Sequence, residues 1–200
     1  MTSTIKTAAC LAICLALAAC VSTEPRQPVI DNVTAANYKE KRVRDIAVLP
    51  TEGLEIGAPS GIRLPTPELR HLAYRYLIRF RNYAAPKLEW VDEQIANGAS
   101  GAKSFNTDAT LTISIDQWDA SSLAGQGVVY AGATFRLVDA DGGELWHFRS
   151  TDQRIAVRPP HGGDNTLANL RDAAKGLVEQ ALDLMPPTPR ISVDEIENPK

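Results

Sequence analysis

DATLTISIDQWD, residues 108–119, decides how the rest of the chain is read. Leu111, Ile113 and Ile115 alternate with Thr110, Thr112, Ser114 and Asp116, the period of two that marks a strand with one buried face. Trp118 falls on the threonine side, so either a bulge slips the alternation or this tryptophan covers the second face. Residues 119–127 read as loop. Val129, Ala131, Ala133, Phe135 and Leu137 then repeat the one-faced pattern. Asp141-Gly142 is a hairpin turn signal, and the return strand over 144–149 carries Trp146 and Phe148 on one side. The core is therefore a three-stranded antiparallel meander.

Upstream, Asp45-Ile46-Ala47-Val48-Leu49-Pro50 is nearly continuous in apolar residues, as expected of a strand covered on both faces. Pro50 ends it, and 51–64 reads as a Gly/Pro-containing loop. Thr66-Pro67-Glu68 predicts a helix start: a hydroxyl N-cap, proline at the first helical position and an acid in the first turn. The helix should run to about residue 83, with Leu69, Leu72, Ala73, Tyr76, Leu77 and Phe80 buried. Arg70, Arg75, Arg79 and Arg81 spread over its remaining surface. They read as a solvated face, with recognition of an acidic partner as the alternative. Residues 87–91 read as a second short strand, 92–97 as a brief helix stopped at Gly98, and 99–107 as loop.

After Pro159-Pro160-His161-Gly162-Gly163, a last helix is capped by Asp164 or Asn165. Its stripe is Leu167, Leu170, Ala174, Leu177, Val178, Ala181, Leu182 and Leu184, and Pro186-Pro187 ends it. The fold class is α/β (α+β): one domain, a mixed sheet containing the meander and flanked by helices, over residues 43–186. Residues 187–200 read as a mobile acidic tail.

The N-terminus has a different character. Lys6 precedes an apolar run over 8–19 that suits a secretion signal and is too short to span a bilayer comfortably. Leu17-Ala18-Ala19-Cys20 has the form of a bacterial lipobox. It predicts cleavage between Ala19 and Cys20 and acylation of the Cys20 sulfur by palmitate-type chains. Residues 1–19 are then signal peptide, and 20–42 a lipidated N-terminus and tether that carries Pro25 and Pro28. The other cysteines, Cys10 and Cys14, lie inside the signal, so the mature domain has no disulfide framework to stabilise it.

The chain has 200 residues, with 21 Lys plus Arg against 24 Asp plus Glu, a formal net charge of −3. Cleavage removes only Lys6, leaving 20 basic against 24 acidic residues on 181. This mild acidic excess argues against nucleic-acid binding, which favours a basic face. His71, His147 and His161 lie at no metal-ligand spacing and read as ordinary surface or rim residues. The run over 139–144 resembles a calcium loop but has Glu144 where glycine is required. No nucleophile elbow, phosphate loop or zinc-hydrolase signature is present. Asp116 and Asp119 are the carboxylate pair one would try as acid and base. No metal, cofactor or catalytic residue is expected.

Three stretches carry a resemblance, in this order: YKEKRVRDIAVLP (38–50), NYAAPKLEWVDEQIANGA (82–99), and 108–146 with DATLTISIDQWD and FRLVDADGGELW. Together they resemble the small Gram-negative outer-membrane lipoproteins known as candidate surface vaccine antigens. That family shares a fold with the TolB amino-terminal domain and with the LpoB and CsgG lipoproteins. The resemblance covers most of the mature chain, except that 51–64 departs from the pattern. It implies a non-enzymatic accessory or scaffold in envelope transport or assembly, with an envelope protein as partner and a homo-oligomer as a further expectation. The alternatives are an LpoB-like activator of a peptidoglycan synthase and, in a different class, an envelope hydrolase or small-ligand carrier. No paired lipid-facing hairpins of a CsgG-like pore are present. Val21 after the lipid site favours the outer membrane, with the domain facing the periplasm.

Overall fold

A computed structural model describes residues 26–157 and 165–188. The signal peptide, the Ala19–Cys20 cleavage point, the cysteines, His161 and the tail beyond Thr188 lie outside the described residues. The elements are β1 (Val29–Thr34), α1 (Tyr38–Lys41), β2 (Ile46–Val48), β3 (Glu52–Gly53), α2 (Pro67–Phe80), α3 (Leu88–Ala96), a 3-10 turn (Ala102–Phe105), β4 (Ala109–Asp119), α4 (Leu123–Gln126), β5 (Val128–Asp139), β6 (Glu144–Ala156) and α5 (Thr166–Asp183). One mixed sheet runs in the order β1-β6-β5-β4-β2, with β3 also on β4. The expected class therefore holds: a single α+β domain built on the β4-β5-β6 meander.

Within the meander the alternation decides the packing. Leu111, Ile113, Ile115, Val129, Ala131, Ala133, Phe135, Leu137, Trp146 and Phe148 are all buried in one cluster. Phe135 and Phe148 meet edge to face with centroids 6.0 Å apart. The slip required by Trp118 is a bulge between Ile115 and Gln117 on β4. A second irregularity, between the pairs of Ala131 and Ala133, lies on the same level of β6. Between them Gly132 runs so close that a Cβ would stand 2.9 Å from the Ser150 carbonyl oxygen.

Helices α2 and α5 pack side by side on one face of the sheet, while α3 and the 3-10 turn lie against β2. This explains the continuous apolar run over 45–50. Ile46 and Val48 enter the main core, whereas Ala47 turns to a second cluster with Val91 and Phe105. Pro50 interrupts this edge without ending it. The chain rejoins β4 in parallel at Glu52↔Ser114 and Gly53↔Ile115, which corrects the reading of 51–64 as loop throughout.

Three further expectations need correction. The 20–42 tether is ordered from Arg26 onward, and Val29–Thr34 is an edge strand antiparallel to β6. All six of its residues are exposed. It is held by its backbone ladder and by Asn32, so it lacks the one-faced burial that makes a strand visible in a sequence. Residues 88–91 are helical, not a strand, and fuse with 92–96 into α3, with Lys87 as the N-cap. Leu88, Val91 and Ile95 recur at steps of three and four, and Leu88 and Val91 are buried. Thr66 makes no side-chain cap bond and is itself helical. The entry is made by the backbone instead, Glu68 N–H donating to the Pro65 carbonyl at 2.9 Å. At α5 the expected cap forms, with Asn165 Oδ1 accepting from Ala168 N–H at 3.2 Å.

Candidate functional site

The four arginines at 70, 75, 79 and 81, three on α2 and one at its C-cap, do not form one solvated face. Arg70 is only 5% exposed. Its Nε donates to the Val48 carbonyl at 2.9 Å and its Nη1 to Asp92 Oδ1 at 2.5 Å. It therefore bolts α2 to the end of β2 and to α3 on the other side of the sheet, a structural role that helical periodicity alone placed in solvent. Arg81, just past the helix, donates through Nη2 to the Met185 carbonyl.

Arg75 and Arg79 remain on the surface, and among the described residues neither is drawn into an ion pair. Like charges at i and i+4 cost an isolated helix a few tenths of a kcal/mol, about 0.2–0.5. They border a groove of about 290 Å³ between α2 and α5. Leu72, Val178, Tyr76 and Phe80 line it, and Arg171, Asp172, Lys175 and Glu179 complete its walls. The helices run in the same direction. Glu68 meets Arg171 at 2.9 Å near their starts, and Tyr76 meets Asp183 at 2.5 Å near their ends. Phe80, expected in the core, is 64% exposed and tilts against Tyr76 with centroids 5.0 Å apart. Burial and the bond to Asp183 push the Tyr76 hydroxyl up to about 12, so it stays a neutral donor. Three apolar side chains, a phenol and two unpaired guanidinium groups suit a segment that is apolar and anionic.

The second feature lies at the sheet's other end. Arg26 pairs with Asp119 at 2.8 Å and Asp152 at 3.8 Å, and its guanidinium lies over the Tyr130 ring, 4.6 Å from the centroid. Asp152 is fixed in turn by Gln117, which donates to its carboxylate at 2.7 Å and accepts from its N–H at 3.0 Å. Only 21–25 separate this clamp from Cys20.

The remaining candidates are spread over the molecule. The Asp119 carboxyl is held below its ordinary value, chiefly by bonds from Ser121 and then by Arg26, the reverse of what a general acid needs. Asp116 accepts from Thr134 at 2.8 Å and Ser114 at 3.1 Å. In the run over 139–144, Asp139 closes the hairpin by accepting from Asp141 and Gly143 N–H. Lys41 bonds Asp139 at 2.7 Å and Lys103 bonds Asp141 at 3.0 Å, holding both carboxyls below their ordinary values. His71 is exposed. His147 sits on the outer sheet face, between Glu144 at 2.5 Å and Asp31 at 3.2 Å. Among the described residues no group of three or more His, Cys, Asp or Glu is arranged to hold a metal, and no helix is long and apolar enough to cross a membrane.

Fold and surface define a small mixed-sheet domain with paired helices on one face and an open, polar outer face. Proteins of similar layout include a PelC dodecamer from Paraburkholderia phytofirmans, 15% identical over 82% of this chain and 100% of that one, at a TM-score of 0.49. The lipoprotein GNA1162 from Neisseria meningitidis is 20% identical over 68% and 96%, at 0.39. A DUF4136 family protein from Bacteroides thetaiotaomicron is 12% identical over 80% and 96%, at 0.41. No family model and no curated protein matches the sequence. At such identities and TM-scores, what those proteins bind or assemble into says nothing about this chain.

Proposed function

We propose that the chain is a lipid-anchored protein of the bacterial outer membrane. Its domain faces the periplasm and serves as a non-enzymatic accessory or scaffold that docks another envelope protein in transport or assembly. The observation that supports it best is the Arg26 clamp next to a lipidation sequence. With the expected tether of 20–42 the domain would hang on some twenty free residues. With Arg26 seated on Tyr130, Asp119 and Asp152, only positions 21–25 lie between the fold and Cys20. Six steps of extended chain reach roughly 20 Å, so the domain is held close to the bilayer, with the start of β1 nearest the lipid. Such a protein presents a fixed set of surfaces to its neighbours, as a scaffold requires.

Membrane fractionation and in-cell crosslinking of a C-terminally tagged protein test the reading. The wild-type chain is expected in the membrane fraction, crosslinked to one recurrent envelope assembly. Cys20→Ala should release it to the soluble periplasm, and Arg26→Ala should leave it anchored but broaden its crosslinking pattern. A Cys20→Ala variant with unchanged location overturns the anchoring. Capture of no envelope partner by the anchored wild type overturns the accessory role.

A further inference from the structure

We propose that the groove between α2 and α5 is the docking site of the chain's own C-terminal segment, 189–200. The structure delivers the chain to its mouth. Tyr83 Oη donates to the Pro186 carbonyl at 2.7 Å, Arg81 bonds the Met185 carbonyl, and the Thr188 hydroxyl donates to the Arg81 carbonyl. The last described residue is therefore fastened just beyond the C-terminal end of α2, next to Phe80. Twelve residues follow: PRISVDEIENPK. They combine what the groove lacks. Ile191, Val193 and Ile196 match the apolar floor of Leu72, Val178 and Phe80, and the acidic run Asp194, Glu195 and Glu197 matches Arg75 and Arg79, since Lys175 already meets Glu179 at 3.6 Å.

Reach is no obstacle. From Thr188 to Asp194 is six residues, roughly 20 Å of extended chain. From Phe80 back to Arg75 is five helical residues, about 8 Å. The segment must reverse direction on leaving α5, and Pro186-Pro187 already turns the chain off the helix axis. Because the segment is tethered, its effective concentration at the groove is on the order of millimolar. A contact too weak to hold as a separate peptide is thus populated within one chain.

The test compares the full mature chain with one ending at Thr188, and titrates a labelled peptide of residues 188–200 into each. The peptide should bind the shortened chain saturably and the full chain at least tenfold more weakly. Arg75→Glu with Arg79→Glu should abolish binding, and a scrambled peptide should not bind. Amide NMR shifts over 72–80 and 171–179 should differ between the two chains. The shifts of the shortened chain should also appear in the full chain carrying Asp194→Lys, Glu195→Lys and Glu197→Lys, which needs no truncation. No saturation up to 5 mM, on the order of the tethered concentration, together with identical shifts, overturns the proposal. Groove shifts in the full chain that depend on protein concentration overturn it in favour of a second copy as occupant. Both readouts are indifferent to Cys20 and to membrane location, so they fail or succeed separately from the proposed function.

Discussion

The two edges of the sheet are held in opposite ways. At one edge β2 is three residues long, wholly buried, and pressed between α2 and α3. At the other, β1 is six residues long and exposed at every position, including Val29 at 64%. The short strand is fixed by burial on both faces. The long one is fixed by its ladder to β6, by Asn32 Oδ1 accepting from the buried Trp146 indole at 2.7 Å, and by Asp31 Oδ2 accepting from His147 at 3.2 Å. Tyr38 then secures the segment that follows, its hydroxyl 2.7 Å from that of Tyr83. The difference teaches that strand length is a poor guide to strand stability. The β2 edge should carry global stability, and the β1 edge should open locally.

The largest effect is expected at Arg70. In Arg70→Ala the Val48 carbonyl loses its side-chain donor, and the buried stem of the arginine leaves a cavity between α2 and α3. The cost should be about 3 kcal/mol in urea unfolding, shared by the whole domain because three layers meet there. Arg70→Met, which keeps the packing, should cost roughly half as much. Gly53→Ala comes next. Its φ is +91°, and a Cβ would lie 2.3 Å from the Ile115 carbonyl oxygen. β3 must lift off β4, at about 2 kcal/mol, which should appear as a melting temperature lower by some 4–8 °C.

Those two residues also mark where the sequence stops being readable. The meander was legible in its strand order and its turn because alternation and Asp141-Gly142 are local signals, and Gly142 indeed takes φ +86°, but the return strand read as 144–149 runs on to Ala156. The run over 45–50 was legible as a doubly covered strand. Arg70 was not. A single arginine on a polar-looking helix face is buried only because β2 ends beneath it and Asp92 approaches from the far layer, and both are long-range facts. β1 failed for the converse reason. VIDNVT puts apolar and polar residues on both sides, because no face of that strand enters the core. Residues 87–91 misled because Leu88 and Trp90 mimic alternation over a window shorter than a helical repeat. The groove was half-legible: the arginines were seen, but not that α5 lies parallel to α2 and closes a channel beside Arg75 and Arg79.

At the exposed edge the expected effects are smaller and local. Asn32→Ala leaves the Trp146 N–H without its partner, while Trp146 itself stays 0% exposed. The cost should be about 1.5 kcal/mol. It should appear as roughly tenfold faster hydrogen exchange over 29–34, with the β2 amides unchanged. If Asn32→Ala lowers global stability as far as Arg70→Ala does, the two edges unfold together and the contrast fails.

The smallest effect sharpens the contrast through pH. The Glu144 bond, helped by Asp31 and opposed by burial, raises the His147 imidazole above its ordinary value. Its contribution is therefore complete below the unfolded value near 6.5 and is lost as pH rises through the folded value. Glu144 is held below its ordinary value, first by His147 and then by Arg136. Its contribution is complete above the unfolded value near 4.5 and is lost as pH falls through the folded value. Both are in force together between about pH 4.5 and 6.5. The pairs are partly solvated, so the amplitude should be about 0.5 kcal/mol. Exchange at Asp31 and Val33 should be slowest in that window and quicken by pH 8 after correction for the intrinsic rate. His147→Gln should flatten the profile on its alkaline side while β2 shows no such dependence. A pH profile shared by both edges would mean that the exposed strand is not an independent unit.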